Sequence, residues 1–76
     1  MANNTHFELP KECEHSLKRQ GWEYIDSYQD EKGHYFLEVV TKGESNEKLH
    51  EWRTQWGYIG FMHHMQNPAQ VMFYTC

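Results

Sequence analysis

Residues 19–25 read Arg19-Gln20-Gly21-Trp22-Glu23-Tyr24-Ile25, and residues 53–59 read Arg53-Thr54-Gln55-Trp56-Gly57-Tyr58-Ile59: the same Arg, Trp, Tyr and Ile at the same spacing, 34 positions on (19 to 53). Laying residues 17–42 over 51–76 without a gap adds Thr41 on Thr75. It also adds three apolar matches, Leu37 on Val71, Val39 on Phe73 and Val40 on Tyr74. Gly33 coincides with Asn67, and both residue types take a left-handed backbone at little cost, as a tight hairpin turn requires. Whatever the first half forms, the second half is expected to form again.

Working outward from the first copy, Pro10 suits the first position of a helix, where its missing N–H is no loss, and Gly21 suits the residue just past the end. A helix is therefore expected over residues 10–20. Its acids Glu12 and Glu14 sit near the start and its bases Lys18 and Arg19 near the end, as the helix dipole favours. Leu9, Cys13 and Leu17 form a narrow stripe to bury. Residues 22–28 and 35–41 are rich in β-branched and aromatic side chains. Between them Asp30-Glu31-Lys32-Gly33 reads as a type I turn closed by a left-handed glycine. A three-residue loop sets Ile25 across from Val39, Ser27 across from Leu37, and Tyr28 across from Phe36.

In the second copy Ser45 can cap a helix over residues 46–56, with Leu49, Trp52 and Trp56 at helical spacing. A second hairpin, 58–65 with 70–76, turns around Gln66-Asn67-Pro68-Ala69, where Pro68 forbids a continuous strand. Gly57 and Gly60 argue against the helix running on. The expected fold is α+β in the order α-β-β-α-β-β: a four-stranded antiparallel sheet with two helices on one face, built from a duplicated αββ unit. That order is also the order of a ferredoxin-like fold with its first strand moved to the end, an analogy of topology alone.

Alternation along the strands sorts the side chains. One face is expected to gather Ile25, Leu37, Val39, Ile59, Phe61, Val71 and Phe73 under the helices. The other gathers Trp22, Tyr24, Tyr28, Phe36, Val40, Tyr58, Met62, Met72 and Tyr74, together with Asp26 and Glu38. Two carboxylates across adjacent strands are tolerable only where water or a cation reaches them. Leaving so many rings in water forgoes stability that a small domain needs, and exposed apolar patches rich in Tyr, Trp and Met mark interfaces. Trp22, Tyr24, Asp26, Tyr28, Phe36, Glu38, Tyr58, Met62 and Tyr74 are accordingly the expected partner-binding residues.

Size limits the rest. Seventy-six residues make a single domain, with halves at about 9–42 and 45–76 and frayed residues 1–5. The net charge of −4 and scattered Lys and Arg disfavour phosphate tracking. No apolar run approaches a membrane span, and residues 1–5 lack the features of a signal peptide, so a cytoplasmic setting is expected. Cys13 and Cys76 are expected as free thiols.

Candidate chemistry is thin. Cys13, His15, His63 and His64 are the obvious metal ligands, but their spacing on a helix and a strand points them apart, so neither metal nor cofactor is expected. Cys13 has no base beside it to make it a nucleophile, and Asp26 with Glu38 lies on an open sheet that cannot exclude water. The expected function is a small, acidic, non-enzymatic interaction module, in style like the inhibitors that phages and mobile elements direct at host proteins. It would bind another protein or its own copy as a homodimer. A single-stranded nucleic-acid-binding domain using the same aromatic face, or a small zinc-binding domain, is the alternative.

Overall fold

The computed structural model of the chain describes residues 5–75. The elements run β1 (Thr5–His6), α1 (Lys11–Gln20), β2 (Glu23–Gln29), β3 (Tyr35–Val40), α2 (Asn46–Gln55), β4 (Gly60–His63) and β5 (Gln70–Tyr74). The strands form one antiparallel sheet in the order β1-β2-β3-β5-β4. Expectations for residues 1–4 and for Cys76 lie outside the described residues.

This is an α+β fold with two helices, but the sheet has five strands and not the expected four. The fifth is β1, which pairs Thr5 with Gln29 and His6 with Tyr28. The cause lies in Ser27, which is fully buried and needs a partner for its hydroxyl. Its Oγ donates to the carbonyl of Phe7 at 2.7 Å, and the Phe7 N–H donates to the Ser27 carbonyl at 3.4 Å. A two-residue strand shows no alternation for sequence reading to detect. It also places Thr5, expected to fray, in the sheet.

Both helices close in the same way. After α1 the chain passes through Gly21 at φ 79°, the Gly21 N–H donates to Lys18, and the Trp22 N–H reaches back to Leu17. After α2 it passes through Gly57 at φ 82°, with Gly57 donating to Thr54 and Tyr58 to Arg53. These are paired Schellman closures, in which the residue after the left-handed glycine is folded back against the helix. Trp22 and Tyr58 are those residues, and both are buried in the core. The repeat in the sequence aligns Trp22 with Trp56, whereas the helix ends match Trp22 with Tyr58.

The core consists of Cys13 and Leu17 from α1, Leu49 and Trp52 from α2, Trp22, Tyr58, and the inward residues Leu37, Val39, Val71 and Phe73 of β3 and β5. The last four are wholly buried, each contributing about 1.5–3 kcal/mol of hydrophobic stabilisation. The indole N–H of Trp52 donates to Ser16 Oγ at 2.9 Å and joins the two helices. Trp52 also packs on Phe73 with ring centroids 4.8 Å apart.

Two residues expected in the core are not there. Tyr24 pairs with Val39 and Asp26 with Glu38, so Ile25 is the extra residue of a β-bulge and is 44% exposed. Below the bulge the expected pairs Ser27 with Leu37 and Tyr28 with Phe36 form. Ile59 precedes β4 in the connection from α2 and is 52% exposed. Where the halves meet, the pairing of β3 with β5 is symmetric about Glu38–Met72: Phe36 faces Tyr74 and Val40 faces Gln70. The repeat has become a local two-fold relation.

A candidate docking face

Side chains alternate across a sheet, so residues between the buried ones on β3 and β5 point away from both helices. Cross-strand partners assemble them into rows. Tyr28, Phe36, Tyr74 and Gly60 form one row, Asp26, Glu38, Met72 and Met62 the next, and Val40 stands beside Gln70 beyond them. Both helices belong to the core cluster on the other side. Among the described residues no element crosses over these rows.

The face has its own internal order. The rings of Tyr28 and Phe36 stack at 5.2 Å and 23°, and the Tyr28 hydroxyl donates to the Met72 sulfur at 3.7 Å. Tyr74 lies across Gly60, where an added Cβ would fall 2.6 Å from the phenol oxygen. Met62 is 51% exposed, while Tyr28, Phe36, Val40, Met72 and Tyr74 are half-buried. A shallow depression of about 100 Å³ opens between Glu38, Met62, His64 and Met72. Asp26 accepts from the Ser27 N–H at 2.8 Å, and its carboxylate meets His6 Nδ1 at 2.9 Å. Burial, and then the charges of Glu38 and Asp26, push the Tyr28 phenol above its ordinary value; each opposes the appearance of a phenolate.

Of the nine residues expected here, Asp26, Tyr28, Phe36, Glu38, Met62 and Tyr74 share the face. Trp22 and Tyr58 do not, because the helix closures turn them inward. Tyr24 does not either: the bulge pairs it with inward-facing Val39, and its hydroxyl lies 2.7 Å from Ser27 Oγ on the helix side. His6, which covers Asp26, had no signal in the sequence because β1 had none.

The groups considered for chemistry are dispersed. Burial raises the Cys13 thiol to about 11, far from a thiolate at neutral pH. The His63 ring is engaged on both sides, by the Pro68 carbonyl at 2.9 Å and Asn46 Oδ1 at 2.8 Å. Among the described residues no three His, Cys, Asp or Glu side chains cluster closely enough to share a metal. A depression of about 320 Å³ lies on the helix side between Glu8, Leu9, Lys11, Glu14 and Tyr24. No helix is long and apolar enough to cross a membrane among the described residues. Comparison with protein-family models, with curated proteins and with solved structures finds no match, so the reading of the face rests on its geometry.

Proposed function

We propose that this protein is a small non-enzymatic interaction module that docks another protein on the open face of its sheet. The observation that carries the reading is the partly buried row of Tyr28, Phe36 and Tyr74 beside the two methionines Met62 and Met72, with no element laid across it among the described residues. Monomeric proteins rarely leave such a contiguous apolar patch open without an interaction to make. The composition is also that of interface centres, where Tyr, Phe and Met are enriched.

Asp26 and Glu38 specify the occupant further. They stand side by side on β2 and β3, and the rows of the face contain no Lys or Arg. A partner presenting Arg or Lys among apolar side chains complements them. A nucleic-acid backbone would be repelled by them. Inhibition of a host protein by a mobile-element product is the specific form of this reading, and it would use the same surface.

The test replaces two rings on the face and one in the core. Tyr28→Ala with Tyr74→Ala should retain a native far-UV spectrum and lose the protein that copurifies with wild type from its source cells. Tyr58→Ala should instead destabilise the fold by about 3–5 kcal/mol, the range for emptied aromatic core positions. Undiminished copurification by a folded Tyr28/Tyr74 variant would rule out this face.

A further inference from the structure

We propose that β4 is a self-pairing edge, through which two copies of this chain join antiparallel about a two-fold axis at Met62, fusing their sheets into one. This goes beyond the docking reading and leaves the open face available to its partner.

Among the described residues β4 ends the sheet and pairs only with β5. Antiparallel neighbours alternate between pairs that exchange hydrogen bonds and pairs that do not. His64 donates to Gln70, so the bonded positions are His64, Met62 and Gly60. The main-chain N–H and C=O groups of Phe61 and His63 therefore turn to the free side, where a further strand can meet them.

Proteins protect such edges with charge, proline, a bulge or a very short strand. The opposite side of the sheet uses several of these devices. It ends in the two-residue β1, carries the bulge at Ile25, and bears Glu8 and Glu23 nearby. β4, Gly60-Phe61-Met62-His63, is short as well but carries no proline and no Asp, Glu, Lys or Arg. Every Asp, Glu, Lys and Arg of the chain lies at or before Arg53. β4 itself thus adds no carboxylate to a contact between two copies, each of net charge −4.

The edge also matches itself. With Met62 opposite Met62 of a second copy, Phe61 meets His63, so both outward-turned residues on each strand fall in hydrogen-bonded pairs. Met62, the residue on the axis, is 51% exposed and meets itself across it, as an isologous interface requires. A four-residue strand buries little area, so the association belongs with small, reversible interfaces.

Sedimentation equilibrium from about 1 μM to about 1 mM, the range of weak complexes, tests the proposal together with amide exchange at both ends of that range. The mass should rise from 9.2 kDa toward twice that value, and the Phe61 and His63 amides should slow at the high concentration while those of β2 do not. Met62→Lys, at an exposed position, should keep a native spectrum and remain monomeric. The proposal is overturned by a constant monomer mass, by a dimer in which the Phe61 and His63 amides still exchange freely, or by a Met62→Lys protein that dimerises like wild type. The exchange readout needs no variant, so a misfolded substitution does not affect it.

Discussion

Tyr74 rests on Gly60 because a glycine is the one residue that leaves room for its ring. A Cβ at Gly60 would lie 2.8 Å from the ring carbon that bears the hydroxyl, as well as 2.6 Å from the oxygen. The Gly60 backbone is not among the positive-φ glycines, so alanine can adopt it without strain. Gly60→Ala should therefore leave stability within about 1 kcal/mol while displacing Tyr74 and weakening partner binding. Thermal unfolding and the NMR shifts of the Tyr74 ring check both parts; an unmoved ring would show that the glycine is not what seats it. Reading the sequence identified Gly60 only as a helix breaker, since its role depends on a residue across the sheet. Trp22 and Tyr58 were misplaced for a related reason: alternation counts positions along a strand, whereas these two leave a helix through a left-handed glycine. The signal existed in the pairs Gly21-Trp22 and Gly57-Tyr58, which mark a helix closure followed by a large apolar residue.

The elements themselves were largely legible. α1 and α2 fall within the expected 10–20 and 46–56, because Gly21, Gly57 and Ser45 announce helix ends. Ser45 accepts from the Lys48 N–H at 3.2 Å, as an N-cap should. The first hairpin closes in the expected register below the bulge, with Gly33 at φ 86°. The bulge was not legible, since nothing in Tyr24-Ile25-Asp26 states that two residues will oppose Val39. Nor was the link between the helices, which joins positions far apart in the chain. Ser16 and Trp52 are both buried, so Ser16→Ala would leave the Trp52 indole N–H without its acceptor at a cost of about 1–3 kcal/mol. Urea unfolding measures this directly, and a loss below about 0.5 kcal/mol, the usual scatter for surface changes, would mean that the bond does not tie the helices together.

At the scale of the molecule, two alike halves share one core, and that core holds two groups that must stay neutral. Burial moves Cys13 from 9.0 to about 11 and Tyr58 from 10.0 to about 12, with Cys13 adding to the second shift. Both folded values lie above the unfolded ones, so the unfolded chain releases these protons first. The stability tied to them is complete below about pH 9 and is lost as pH rises toward 12. The melting temperature should therefore hold up to about pH 9 and fall between there and pH 12, and Cys13→Ala should move the onset up toward pH 10. A flat melting temperature to pH 12 would place both groups in contact with water. The open face of the sheet is the part of the molecule that the sequence conveyed in outline, gathering six of the nine residues expected on it, because β3 and β5 keep a plain period of two.

The grouping of indoles has a practical corollary. Trp22 and Trp56 flank Trp52 at ring-centroid distances of 5.4 and 6.0 Å, and all three lie on the helix side of the sheet. Their near-ultraviolet dichroism and emission thus form an intrinsic optical gauge of core integrity. Tyr28 and Tyr74 stand on the other surface, so ligation there would leave the tryptophan signal almost unchanged, and the same cuvette could separate occupancy from unfolding.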